Sequence, residues 1–315
     1  MTAYLIRRIG TSLVILVGIS IFVYVLLHAV FPSPAIVILG PKASPAAIAS
    51  FNAQNGYDGP VIEQYLHYVN GLLHGNLGYS YKLNQSVAAL FGERWERSAY
   101  LSGMGIAIAV LIAIPLGIFQ AAKRNSLGDQ AVTLVAFTTY AMPDYLLYLI
   151  GIQIFALSFP ILGFEASQSL SIVSVIGDWH DMALPILCIA LLVLAGYSRY
   201  MRSAAMETLA QDYIKTARAK GLPERLVLFR HLLRNACLPM ITLIGLSIPA
   251  LLAGNLVAEY VFNYNGLGLL FYSSLSNEDY PVLIAYTLIG AVLTVFGNLI
   301  ADIALTLADP RIRLS

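Results

Sequence analysis

Five histidines stand at positions 28, 67, 74, 180 and 231, and two cysteines at 188 and 237. Their separations match no metal-ligand spacing: there is no His-Glu-x-x-His, and Cys188 and Cys237 form no Cys-x-x-Cys pair. Nor is there a Gly-x-Ser-x-Gly turn to present a nucleophile. No lysine follows a glycine, so the chain has no Gly-Lys-Ser/Thr loop to cradle the phosphates of ATP. A hydrolase would need a nucleophile with its base, or a metal. Neither constellation is present, so no catalytic and no metal-binding residue is assigned. Both cysteines lie in or beside apolar stretches and read as buried small hydrophobes.

Three ionisable residues do interrupt or border long apolar runs: His28, Asp144 and Asp302. A charge at mid-membrane costs about 2.5–3.5 kcal/mol on insertion scales, so such residues are functional candidates by default. Asp144 is the sharpest case. It could relay protons in an ion-coupled carrier, line an aqueous translocation path, or pair inside a helix bundle. His28 and Asp302 lie near the ends of their runs, where interfacial water can solvate them.

The runs themselves dominate the composition. Only 11% of the 315 residues are charged and 58% are hydrophobic, with a mean hydropathy of +0.75. A soluble domain carries about 25% charged residues to face water, so lipid must cover much of this chain. Six spanning helices are predicted, at about Ile9–Val30, Ser98–Ala122, Ala131–Ser158 (broken by Asp144), Met182–Ser198, Asn235–Ala258 and Tyr280–Ala301, the last continuing toward Ala308. The first has 22 residues, about 33 Å of helix, which is longer than a secretory h-region and is expected to be retained. Pro115, Pro143, Pro185 and Pro249 fall inside these runs, as kinks or hinges.

With six spans both termini share a side. That side holds 14 of the 18 lysines and arginines, against four (Lys42, Lys82, Arg94, Arg97) on the other. The positive-inside rule then places both termini in the cytoplasm. The organisation follows: 1–30 as N-terminus and first helix, 31–97 as a long extracytoplasmic loop, 98–308 as the transmembrane core and 309–315 as a cytoplasmic tail. The fold class is an all-α integral membrane protein with a basic cytoplasmic loop, 199–234, between the fourth and fifth helices.

In that loop Met206, Leu209, Ala210, Tyr213, Ile214 and Ala217 recur at helical spacing. Lys220-Gly221-Leu222-Pro223-Glu224 then reads as a stop and a start: glycine suits the left-handed residue past a helix end, and proline the first position of the next. A second amphipathic helix follows, with Leu222, Leu226, Phe229 and Leu233 on one face. A merely solvated basic loop, a DNA-reading helix-turn-helix and a docking element for a cytoplasmic partner share this pattern. Tethering between two spans leaves no room for a recognition surface, so nucleic acid is not an expected partner.

The run Asp212-Tyr213-Ile214-Lys215-Thr216-Ala217-Arg218-Ala219-Lys220-Gly221 resembles the conserved loop of binding-protein-dependent ABC importer permeases, and within them the dipeptide/oligopeptide/nickel branch. Arg230-His231, Arg234-Asn235-Ala236-Cys237-Leu238-Pro239, Gly75-Asn76-Leu77-Gly78-Tyr79-Ser80, the stretch Glu259 to Pro281 and the ending Asp309-Pro310-Arg311-Ile312-Arg313 are similar to the same family. The likeness covers nearly the whole chain. It departs at Trp95-Glu96-Arg97, where the family usually has a proline, at Asp144, where a small or apolar residue is expected, and at Lys215-Thr216-Ala217 in place of Glu-Ala-Ala.

The resemblance implies a type I permease of the bacterial cytoplasmic membrane that works by alternating access, with Asp212, Ala217 and Gly221 in a coupling helix. It implies a second homologous permease, two ATP-binding subunits that hold ATP and Mg, an extracytoplasmic substrate-binding protein, and a peptide as the expected cargo. A nickel chelate or another small solute is the alternative within the family. An ion-coupled carrier using Asp144 is the alternative outside it.

Overall fold

A computed structural model describes the chain except for residues 1, 31–34, 36–38, 40–42, 56–57, 81, 160, 164, 170 and 309–315. The tail 309–315, with its Asp309-Pro310 motif, and the side chains of Arg8 and His28 lie outside the described part. In chain order the helices are α1 Thr2–Val30, α2 Pro45–Asn55, α3 Val61–Leu73, α4 Val87–Gly92, α5 Trp95–Ala122, α6 Leu127–Ala141, α7 Asp144–Ile152, α8 Ile172–Gly177 and α9 Trp179–Leu209. They continue with α10 Asp212–Ala219, α11 Glu224–Leu226, α12 Leu233–Ala236, α13 Leu238–Leu246, α14 Ile248–Ala253, α15 Leu256–Val261, α16 Leu267–Ser276 and α17 Tyr280–Ala308. Among the described residues the only strands are the two-residue pair β1 Tyr79–Ser80 and β2 Gln85–Ser86, antiparallel.

The centre of the bundle is the pair α5 and α9, which pack along most of their length. Small residues let their backbones approach, as is usual where lipid gives no hydrophobic drive between helices. A Cβ on Gly105 would stand 2.6 Å from Ile189, and one on Gly117 would stand 2.6 Å from Met201 and 2.9 Å from the Arg202 amide. Pro115 and Pro185 lie inside these two helices without ending them. The last helix, α17, packs against α1, α13 and α14.

The predicted third and fifth segments are not single helices. The third is α6 followed by α7, which runs on as a π-helix over Gln153–Ser158; the two halves meet at a bend of 108°. Met142 precedes Pro143 and is extended, with ψ 137°, because the proline ring disfavours helical geometry in its predecessor. The fifth breaks at Cys237 and Ser247, with Pro239 and Pro249 in the first turns of α13 and α14, and again at Gly254, whose φ is +86°. Pro143 and Pro249 thus mark breaks, whereas Pro115 and Pro185 do not.

Among the described residues, three helical stretches are long and apolar enough to cross a membrane, Val87–Ala122, Trp179–Leu209 and Tyr280–Leu307, or five if each bent pair is one span. Six is not reached on that measure. Within α1 the described apolar stretch is the shorter Gly10–Leu26.

The long segment between α1 and α5 folds back on the bundle. Val87, Leu90 and Phe91 of α4 form one apolar cluster with Leu267 and Leu270 of α16 and Val282 and Ala285 of α17. The Ser80 hydroxyl donates to the buried Asp279 carboxylate just before α17, which pins the hairpin to the same place.

Candidate functional site

The amphipathic stripe read from Met206 to Ala217 is divided between two helices. Met206 and Leu209 end α9, the chain turns at Ala210 and Gln211, and α10 begins at Asp212. Of the stripe, Ile214 and Ala217 are buried, while Ala210 and Tyr213 are exposed. Ile214 and Ala217 join a cluster with Met201 and Ala205 of α9 and with Val227, Leu232 and Ala236 beyond the turn. The short helix is therefore held to the bundle by one narrow apolar face. Its remaining surface is polar and open.

Asp212 opens α10 with its side chain 95% exposed, and Lys215 Nζ lies 2.8 Å from its carboxylate. An acidic residue in a helix's first turn is favoured by the helix dipole, and the lysine holds the Asp212 carboxyl below its ordinary range. Gly221 ends the element at φ +74° with no atom within 4 Å of where a Cβ would sit. Across it Arg218 grips Glu224 through two bonds, Nη2 to Oε1 at 2.5 Å and Nε to Oε2 at 3.1 Å. This clasp lowers the pKa of Glu224 and raises that of Arg218, each chiefly through the shared hydrogen bonds. The predicted stop-and-start is thus a glycine turn strapped by an ion pair. Asp212, Ala217 and Gly221 all lie on this one element.

The second predicted helix has a different buried face. After Glu224–Leu226 the chain widens into a π-helix over Val227–Leu232 before α12 resumes. A π turn takes up more residues than an α turn, so the 3.6-residue register slips. Val227, Leu232 and Ala236 are buried, and Phe229, expected on the inner face, is 62% exposed. Tyr213 and Asn235 meet across the gap, with Asn235 Nδ2 donating to the Tyr213 hydroxyl at 3.1 Å.

Just above this platform lies a charged clamp that local pattern did not reveal. Asp129, in the first turn of α6, is buried and accepts from Nε and Nη2 of Arg202 on α9, both at 2.8 Å. It also accepts from the Asn125 amide at 3.0 Å and from Gln120 Nε2 at 3.3 Å, while Ser126 caps the helix start. The ends of α5, α6 and α9 are therefore tied together next to Met201 and Ala205, the residues on which α10 rests. Arg199, one turn earlier, lies over the rings of Phe137 and Tyr140, at 4.3 and 4.8 Å.

A second polar lock sits between α5, α15 and α16. Glu259 is fully buried and accepts from the Ser98 hydroxyl at 2.7 Å and from the amides of Gly268 and Leu269 at 2.7 and 3.1 Å. Ser98 Oγ in turn accepts from the Leu267 amide at 2.8 Å. Gly266 must be glycine here, since a Cβ would come within 2.4 Å of both the carboxylate and the serine oxygen. Glu259 is the first residue of the family-like segment Glu259–Pro281, and its partner Ser98 lies far away in sequence, so no local pattern marks the lock.

Asp144 is not part of either constellation. It opens α7 directly after Pro143, exposed, at the 108° bend. There the helix dipole stabilises its charge. The 15 residues of α6 put roughly 22 Å between that bend and the clamp end of the helix. Cys188 is buried and Cys237 half-buried, and both are free thiols. Among the described residues no group of three or more His, Cys, Asp or Glu side chains is placed to hold a metal.

The chain matches the family described as "Binding-protein-dependent transport system inner membrane component" over residues 113–314. Residues 1–102 match the N-terminal portion of such membrane components. It is 38% identical over 316 residues to the oligopeptide transport system permease protein AppB of Bacillus subtilis, covering 99% of each chain. It is 34% identical over 322 residues to a putative peptide permease protein of Brucella ovis, covering 100% of each. To the dipeptide transport system permease protein DppB of Escherichia coli K12 it is 32% identical over 337 residues, covering 99% of each.

Proposed function

The chain belongs to the family of binding-protein-dependent transport system inner membrane components, and on that footing we propose that it is the permease subunit of an ATP-driven importer of peptides. The reading rests on one observation above all: its similarity to oligopeptide and dipeptide permeases covers 99% of each chain. The site geometry supports it. A short helix is seated on the bundle by Ile214 and Ala217 and presents Asp212, Lys215 and the Gly221 turn outward, which suits an element that receives force from a partner.

In this reading the turn faces the cytoplasm together with both termini, as the distribution of basic residues favours. Two ATP-binding subunits dock there and hold ATP and Mg; this chain has no phosphate-binding loop of its own. A second, homologous permease completes the pathway, and an extracytoplasmic binding protein delivers the peptide at the opposite mouth. Closing of the ATPase pair moves α10. Because α10 rests on α9, and Arg202 of α9 holds Asp129 of α6, the ends of α5, α6 and α9 move with it as one block. The bends at Pro143 and Gly254 then let the distal halves of the third and fifth segments reorient, so the path opens to one side at a time.

The test is purification of the chain from its native membrane in mild detergent, with every accompanying protein identified. Two P-loop ATPase copies, a related permease and a peptide-loaded binding protein are the expected companions. An ATPase-free assembly that still transports would overturn the proposal, and a binding protein loaded with a nickel chelate would replace the peptide.

A further inference from the structure

Helix α3, Val61–Leu73, lies in the long segment between α1 and α5 and divides its surface into three sectors. At about 100° per residue, Ile62, Leu66, Val69 and Leu73 fall within about 60° of one another. Glu63, His67 and Asn70 fill a second sector about 100° further round. Gln64, Tyr65 and Tyr68 make up the third. The structure uses only the third for packing. Tyr65 hydrogen-bonds Ser20 at 2.7 Å and meets the Tyr24 ring edge-on at 5.4 Å, Tyr68 meets the same ring at 5.8 Å, and Gln64 is buried.

Apart from the half-buried Val69, the other two sectors are open, yet they are chemically opposite. Ile62, Leu66 and Leu73 are 62%, 58% and 81% exposed, whereas Glu63, His67 and Asn70 form an exposed polar strip. A helix bathed in water on both sides has no use for that division. One lying at a lipid boundary does, since its apolar side enters the acyl region while its polar side stays wet.

Position along α1 favours lipid as the occupant. Ser20 and Tyr24 lie ten and six residues before Val30, so α3 crosses α1 about 9–15 Å inward from that helix's end. The α1 surface at that level is itself apolar and exposed, through Ile21, Phe22, Val25 and Leu26. Helix α3 carries no lysine or arginine, so uncharged acyl and zwitterionic lipid, rather than an anionic surface, fits it.

We propose that α3 is an interfacial helix, with Ile62, Leu66, Val69 and Leu73 seated in the membrane lipid beside α1 and Glu63, His67 and Asn70 facing water. The test uses the full-length chain with its co-purified subunits, Cys188 and Cys237 replaced by alanine, reconstituted into phosphatidylcholine vesicles. Single cysteines at 62, 66 and 73, and at 63, 67 and 70, are spin-labelled in separate samples. Collision with oxygen, which concentrates in lipid, is compared with collision with a water-soluble nickel chelate. The expected result is an oxygen-to-nickel ratio several-fold higher at 62, 66 and 73 than at 63, 67 and 70. Equal nickel access at both sets would put the whole helix in water and overturn the proposal. Loss of both colliders at 62, 66 and 73 would mean that another protein subunit covers the face, which overturns it equally. Because cysteine replaces exposed side chains only, the labelled variants leave the packing of Tyr65 and Tyr68 on α1 intact.

Discussion

On the proposed reading, replacing Gly221 tests whether the backbone of the α10 turn is what couples this chain to its ATP-binding partners. Its φ of +74° is the left-handed region, and nothing in the chain lies within 4 Å of a Cβ placed there. A substitution therefore costs conformational energy without a clash within this chain. For an ordinary L-residue that cost is roughly 1–2 kcal/mol, or about a 5- to 30-fold loss in occupancy of the docked turn. Asparagine, which tolerates the left-handed region, should be the mildest change, alanine intermediate and valine, β-branched, the worst. The Arg218–Glu224 clasp offsets little of this, because both side chains are about half exposed and such pairs contribute at most about 1 kcal/mol. The assay is ATP-dependent peptide uptake and substrate-stimulated ATPase activity in proteoliposomes containing the assembled subunits, beside thermal unfolding in detergent. Uptake should fall in the order Gly, Asn, Ala, Val while the unfolding temperature barely moves, since Gly221 is exposed and touches none of the core. Normal uptake by Gly221→Val would remove the turn from the coupling path. Equal damage by Asn and Val would show that the side chain, not the backbone, is what the partner cannot accept.

Asp129→Asn should destabilise the chain by up to about 3 kcal/mol, because removing one member of a buried pair strands the other; the quarter exposure of Arg202 keeps the loss near the low end. Thermal unfolding measures it, and a charge-reversed Asp129→Arg, Arg202→Asp double variant that recovers neither stability nor uptake would argue against the pair as the link between α6 and α9. Ser98→Ala leaves the buried Leu267 amide and one Glu259 oxygen without their shared partner, for an expected loss of about 1–3 kcal/mol in the same measurement; an unchanged midpoint would remove Ser98 from the lock. Asp144→Asn forfeits only an exposed interaction with a helix dipole, about 0.3–1 kcal/mol, so uptake should persist with its dependence on ATP unaltered. Abolished uptake would reopen Asp144 as a proton relay.

What the sequence determined by itself is what depends on neighbours along the chain. Apolar runs too long and too poorly charged to face water had to become membrane helices, and α5, α9 and α17 fall where those runs lie. Lys220-Gly221-Leu222-Pro223 had to end one helix and begin another, because only glycine takes the left-handed position cheaply and proline cannot extend a helix behind it. Asp212, Ala217 and Gly221 accordingly lie together.

Tertiary structure decided whatever depends on partners far apart. Asp129 and Arg202 are 73 residues apart, and Ser98 and Glu259 are 161. No periodicity connects such pairs. The four prolines make the same point. Pro115 and Pro185 sit within unbroken helices, while Pro143 and Pro249 begin new ones, because neighbouring helices decide whether the backbone groups a proline frees are satisfied in place. Phe229 is exposed for a similar reason: a 3.6-residue period places it on the inner face, and the wider π turn at Val227–Leu232, packed against α9 and α10, shifts that register.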